Sequence, residues 1–394
     1  MEESFPFPYS LLEYLFTLVG LLLFLLDIAL DIWTVVSFYQ HGDYVYMAVM
    51  IFLLLGSSVL LQVFSWLWYS DSLIKLETLV ETFADRHKLI KPLHLICLLL
   101  NFPYAGVIEI STMLFLKKTN RFRNGVVVLL NQDLQMLNLF EAFSESAPQL
   151  ILLTCRILQR GELELFTGLK ILSSAASIAS TEALYHRSMR SFLHKNREMS
   201  WIPTGIYFLW NLLLIIPRVT ALALFCSVLP RYIIAHFLSL WMLLVLGVWS
   251  QKTDHMESPG WEWLFRATVG IIWYFSWFNV STGSITLKAV LYNCVMGLDT
   301  VMLLGFWCWK EFEYTGCWSS LNPYIVIPTL LGLHVVGFLV KMIYYRWFHP
   351  NCDEQKIAKP SERSMESLSE DRAPAQPVTG VLKRGRNMAA NFYY

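Results

Sequence analysis

The sequence predicts an all-α polytopic membrane protein of eight transmembrane helices and two re-entrant helices, followed by a disordered cytoplasmic C-terminal tail. Three observations carry that expectation. Hydrophobic residues fill 56% of the 394 positions and charged residues only 15%, with a mean hydropathy of +0.48, a composition outside the range of soluble globules. About ten apolar stretches are long enough to be membrane helices. Basic residues gather in a few short segments, which sets the sidedness of the loops between them.

The first stretch, 11–36, follows Met1, Glu2 and Glu3. It lacks the positive flank of a cleavable signal and is too long for one, so it reads as a retained first helix. The others are 44–69, 92–116, 125–155, 163–186, 203–229, 232–250, 261–280, 286–309 and 323–347. The positive-inside rule assigns KKTNRFR (117–123), RSMRSFLHKNR (187–197) and the tail to the cytoplasm. The loop 37–43, without Lys or Arg, faces out. Parity then requires 92–116, with Pro103 and Glu109, to enter and leave on one side, and the same holds for 261–280, with Arg266. Two spans, a dip and two spans thus occur twice, a possible internal repeat echoed by Phe64-Ser65-Trp66 and Phe275-Ser276-Trp277. Under this topology the sequon Asn279-Val280-Ser281 is cytoplasmic and carries no sugar. Residues 1–349 form the membrane domain. The segment 350–394, rich in Ser, Glu, Lys and Pro, is expected to be a disordered regulatory tail.

The helices carry a pattern that plain membrane anchors do not need. Glu13, Asp27 and Asp31 interrupt the first span, and steps of fourteen and four residues at about 100° each return them to nearly one face. Glu13 and Asp31 lie roughly 27 Å apart along the axis, close to the thickness of the hydrocarbon core. Asp133, Glu141 and Glu145 form a second acidic stripe in QDLQMLNLFEAFSESAPQL. A carboxylate at mid-bilayer costs about 3 kcal/mol or more, so it faces protein or a watery path. Arg218, beside Pro217, is a deep counter-ion, while Lys288 and Lys341 lie nearer span ends and can snorkel. Counting Glu182 and Asp299 as well, acids outnumber the deep cations. Pairing alone is not expected to neutralise them, and a hydrated groove is the better explanation.

Several chemistries are excluded or unsupported. Net charge is zero and no basic patch interleaved with aromatics appears, so nucleic acid is not an expected partner. There is no P-loop, H-E-x-x-H, G-x-S-x-G or paired-Cys motif, so neither ATP-driven transport nor an enzyme of those classes is expected, and no cofactor is implied. No Cys/His spacing resembles a metal site. Cys97, Cys155, Cys226, Cys294 and Cys308 read as small buried hydrophobes, whereas Cys317 in a polar loop and Cys352 after the last helix are open to pairing or acylation. Glu182, Tyr185, His186 and Arg187, at the end of a span, read as interfacial residues.

Taken together, Leu139-Phe140-Glu141 with Glu145 and Ala147-Pro148-Gln149-Leu150, Phe208-Leu209-Trp210-Asn211 with Pro217-Arg218, Phe275-Ser276-Trp277-Phe278-Asn279, and Tyr344-Tyr345 with His349-Pro350 resemble the XK-related proteins over nearly the whole chain up to Pro350. The sequence departs from that pattern at Asn138, where a basic residue is usual, and at Leu184, where an acid is. The resemblance implies a plasma-membrane protein with cytoplasmic termini that scrambles phospholipids and exposes phosphatidylserine in apoptosis. It also implies assembly with a single-span immunoglobulin-type glycoprotein and, in some members, activation when a caspase removes the tail. The tail lacks D-x-x-D, and Asp371 is the expected cut because it would release the basic Lys383-Arg384-Gly385-Arg386 cluster. Phosphorylation of Ser364, Ser367 or Ser369 is another possible switch. In the expected mechanism a headgroup exchanges its amine between Glu13, Asp27, Asp31, Asp133, Glu141 and Glu145, with Arg218 and Asp299 as phosphate contact or structural partners. The competing readings are a secondary transporter or channel for cations or amine-bearing solutes, and a structural subunit of a glycoprotein complex.

Overall fold

The computed structural model describes residues 11–71, 106–109, 111–112, 121–161, 165–190, 201–251, 253, 256, 258–280, 285–315 and 321–348. Most of the stretch 92–116, the tail with Asp371, and Cys97, Cys317 and Cys352 therefore lie outside the described residues. Within them the fold is helical, with no strand. The chain opens with α1 (Leu11–Gln40) and α2 (Tyr44–Asp71). Next come α3 (Arg121–Glu141), a π-helical turn (Ala142–Ser146) and α4 (Ala147–Arg160). After these run α5 (Leu165–Arg190), α6 (Trp201–Val228), α7 (Ile233–Ser250), α8 (Pro259–Trp273), α9 (Ile285–Thr315) and α10 (Pro323–Ile343), which ends in a second π turn (Tyr344–Phe348).

Among the described residues six helices, α1, α2, α6, α7, α9 and α10, are long and apolar enough to cross a membrane. The helices α3, α4 and α5 are interrupted by charge, and their polar residues turn inward. Centrally placed α6 packs on α10, α5, α4 and α9, and 56% of its most apolar stretch is buried against 11–22% for the other five. Its fit to α10 is close. A Cβ at Gly337 would stand 3.0 Å from Leu213 Cβ, so glycine lets the two helices pack here without pressing on each other.

Local chemistry explains the element boundaries. Asp43 N–H bonds back to Phe38 C=O at 2.9 Å with Gly42 at φ +72°, so α1 stops within a tight turn and α2 returns beside it. Gly161, also at φ +72°, ends α4 in the same left-handed conformation. The first π turn ends two residues before Pro148, which cannot donate to Ser144 C=O and would press its ring there. Widening the helix relieves that clash, and Ala147 N–H bonds to Ala142 C=O instead. One helix was expected over 125–155; the axis does continue, but with this register change in the middle.

The stretch 261–280 resolves into the 15-residue α8 and an irregular segment through Val280. At about 1.5 Å per residue α8 rises roughly 22 Å, short of the hydrocarbon core. It is tied down at its start, where Glu262 Oε1 accepts from Thr253 Oγ1 and Arg266 donates to Thr253 C=O at 2.7 Å. Phe64 lies on α2 and Phe275 in the turn after α8, so the three-residue echo between the halves falls in unlike elements.

Candidate functional site

Two of the acids on α1 meet the π turn and α5 in one cluster. Lys170 of α5 is fully buried, and its Nζ lies 2.6 Å from Asp27 Oδ1 and 2.6 Å from Asp31 Oδ1. Four residues separate the two aspartates on α1, so both present to the same neighbour. Carboxylate oxygens of Asp27, Asp31 and Glu145 all lie within 4.8 Å of one another. Gln149, one α-helical turn beyond, donates from Nε2 to Glu145 Oε1 at 3.5 Å. Glu141 is close enough to feel the charges of Asp27, Asp31 and Lys170. The π turn helps here, because it widens the helix between Glu141 and Glu145 and turns both toward α1. Asp31 is sealed, whereas 24% of the Asp27 side chain is exposed. The cluster has one open rim.

Lys170 is the residue that sequence reasoning missed. It was legible as a lone cation inside 163–186, but its pairing with a helix more than a hundred residues earlier was not. It corrects the picture of an unneutralised stripe: Asp27 and Asp31 are ion-paired, though a single ammonium still faces several carboxylates. Glu13 is separate, 3.9 Å from Arg187 of α5. Asp133 is on α3 two turns before Glu141, and its side chain is half-buried.

Arg218 and Asp299 form a second cluster. Arg218 Nη1 donates to Asp299 Oδ2 at 2.5 Å, and its Nε donates to Tyr274 C=O at 3.2 Å. His236 lies 3.0 Å from the other oxygen of Asp299, with its Nδ1 2.8 Å from Tyr274 Oη. A third cluster sits in the α1–α2 turn, where Asp43 accepts from Arg156 Nε at 2.9 Å and from Arg160 Nη2 at 2.5 Å. Slight burial opposes ionisation of Asp43, but these two guanidinium bonds prevail and hold its carboxyl below the usual carboxylate range.

One expectation is corrected at the other end of the bundle. Lys341 does not snorkel; it is 7% exposed and its Nζ sits 4.7 Å from the centre of the Trp210 ring, a cation–π contact that substitutes for hydration. His186, near the end of α5, is enclosed as well. It is 2% exposed and stacked on Tyr207 at 4.2 Å, because α5, α6 and the second π turn close around it.

The sequence model of the XK-related protein family matches residues 15–350. This chain belongs to the XK-related family. It is 39% identical over 357 residues to XK-related protein 8 of Tetraodon nigroviridis, covering 89% of this chain and 86% of the relative. Against XK-related protein 8 of Gasterosteus aculeatus the identity is 38% over 357 residues, covering 89% and 87%. With the protein of that name from Pan troglodytes it is 33% identical over 378 residues, covering 95% and 92%. The XK-related match takes in all three polar clusters and every described helix apart from the first residues of α1.

Proposed function

We propose that this chain is a phospholipid scramblase, moving lipids passively in both directions between leaflets and exposing phosphatidylserine. The observation that carries the reading is the acidic cluster at Asp27, Asp31, Glu141 and Glu145, open at Asp27 and set midway along a helix whose other faces are apolar. Polar groups recur along α1 at Glu13 with Arg187, at this cluster, and at Asp43 with Arg156 and Arg160. The steps between them are roughly 20 Å. A headgroup that meets these groups in turn crosses two shorter apolar stretches instead of one across the whole core while its acyl chains stay in lipid, which lowers the barrier. Membership of the XK-related family supports the same activity.

The eight-span topology belongs to this proposal, with α3–α4 and α5 as polar-faced spans and α8 as a re-entrant helix. So do a plasma-membrane location, cytoplasmic termini, a single-span glycoprotein partner, and a tail whose removal after Asp371 by a caspase relieves inhibition. The test is lipid flip in ATP-free vesicles carrying purified protein, full length and truncated after Asp371, read by loss of inner-leaflet fluorescent lipid to an external quencher. Flip in the truncated form alone supports both scramblase and tail gate; flip in both forms keeps the scramblase and removes the gate. The closeness of three carboxylates also favours a second reading, a pathway for small cations. Cation flux without lipid flip would put that reading first.

A further inference from the structure

We propose that Cys155 and Cys226 are joined by a disulfide that staples α4 to α6 on the side of the α1–α2 turn. The pairing is read from side-chain contacts and is independent of the scramblase reading. Only the oxidising surroundings rest on the eight-span topology proposed above.

The two cysteines lie on different helices that pack side by side. Both are near helix ends, Cys155 one turn before Arg160 closes α4 and Cys226 just before Val228 closes α6. Side-chain hydrogen bonds draw those ends together. Tyr46 Oη of α2 lies 3.7 Å from Cys155 Sγ and donates to Gln159 Oε1 at 2.6 Å, and Gln159 Nε2 donates to the Ser227 carbonyl at 3.2 Å. The thiols of Cys155 and Cys226 hydrogen-bond to each other. A disulfide of about 2.05 Å needs Cα atoms within about 7 Å and side chains that point at one another. From thiol contact, closure asks for side-chain rotation and a small approach of the two ends. The other described cysteines are placed differently: Cys294 and Cys308 both belong to α9, roughly 21 Å apart along its axis, beyond the reach of a disulfide.

Position in the membrane supplies the oxidant. Cys155 immediately precedes Arg156, which bonds Asp43 in the α1–α2 turn, and that turn faces out in the proposed topology. On this side the chain meets protein disulfide donors during secretion. Cys155 is buried and Cys226 partly exposed, so Cys226 reacts first. Its thiol loses a proton to water and attacks one sulfur of the donor disulfide, expelling a donor thiolate. Cys155 then gives up its proton and attacks the Cys226 sulfur of the mixed disulfide, expelling the second donor thiolate. The pair loses two protons and two electrons, and the donor disulfide leaves as two thiols. Tyr46 can turn its hydroxyl from Gln159 to the Cys155 thiolate during the second attack, supporting a charge that its apolar neighbours cannot.

Peptide mapping tests the staple. Cells are treated with N-ethylmaleimide before lysis, and the purified full-length protein is digested with trypsin without reduction. Cleavage after Arg123, Arg156, Arg218 and Arg231 releases 124–156 and 219–231, each with a single cysteine. The expected product is the linked pair, two hydrogens lighter than the separate peptides and split by reductant. Recovery of both peptides alkylated would overturn the staple, as would Cys226 linked to any other cysteine. Protein purified without the alkylating reagent and treated with oxidised glutathione then separates the causes: closure there faults the sidedness, and failure to close faults the contact. Stability gives a second readout. With reductant present throughout, the melting temperature of the wild type should fall by several degrees, while Cys155→Ala and Cys226→Ala, already lowered, should not respond. A reductant response of the same size in the variants would overturn the assignment.

Discussion

Arg218 is tolerated in the middle of an apolar helix because its partners arrive from other parts of the chain: Asp299 and Thr300 from α9 and the Tyr274 carbonyl from the turn after α8. Removing one side of such a pair leaves a buried charge without compensation. Arg218→Met should therefore destabilise the purified protein by about 3–5 kcal/mol, and Arg218→Met with Asp299→Leu should recover much of that loss. Thermal unfolding of both variants in detergent checks the pair; a loss in the double variant larger than in Arg218→Met would mean that the two charges act independently. Asp43 behaves differently because it lies in the turn between spans. Its folded carboxyl is held below the ordinary value of 3.8 by Arg156 and Arg160. A depressed carboxylate contributes stability that is fully present above its unfolded value and lost as pH falls through its folded value. The stability gap between the wild type and Asp43→Asn should thus stay constant from pH 8 to 5 and close only below 3.8. A gap that closed near pH 6 would assign it to another group.

Helix pairing in this bundle depends on where side chains are missing. A Cβ at Gly337 would stand 3.0 Å from side-chain atoms of Leu213 and Leu214, inside van der Waals contact, whereas Gly332, on the same helix, has nothing within 4 Å of its would-be Cβ. Overpacking a closed interface costs about 1–3 kcal/mol. Gly337→Leu should lower the melting temperature and Gly332→Leu should not; equal effects would show that helix propensity rather than α6–α10 contact is being measured. At this scale the sequence was informative about existence and less so about detail. The apolar periodicity of 11–36, 44–69 and 323–347 placed α1, α2 and α10 because lipid-facing helices are apolar on most sides. The π turn was not legible, since Pro148 demands some relief of its clash without specifying which. Lys170 escaped for a related reason: an intramembrane lysine declares that it has a partner, but not that the partner lies on α1. The Arg218–Asp299 pair was half visible, both residues being conspicuous and their junction depending on tertiary packing.

For the molecule as a whole, the contacts at the two ends of α1 show which loops and helix ends share a face. Glu13 meets Arg187 at one end, and Asp43 meets Arg156 and Arg160 beyond the other. The 30 residues of α1 span roughly 45 Å between them, more than the hydrocarbon core. His186, next to Arg187, also contacts Tyr344 at 6.0 Å between ring centres, which brings the end of α10 to the Glu13 side. The loop containing His41 and the end of α10 containing Arg346 must then lie on opposite faces of any membrane that α1 crosses. With the native cysteines replaced, a membrane-impermeant thiol reagent added to intact cells should label His41→Cys and leave Arg346→Cys untouched until the membrane is permeabilised. Asn279, 7% exposed in the segment after α8, should carry no glycan, so a glycosidase should leave the electrophoretic mobility of the protein unchanged. Labelling of both cysteines from outside would break the eight-span topology, because an even number of spans cannot leave the start of α1 on one face and the end of α10 on the other. Sugar at Asn279 would break it at a different point, by placing the segment that follows α8 on the outer face.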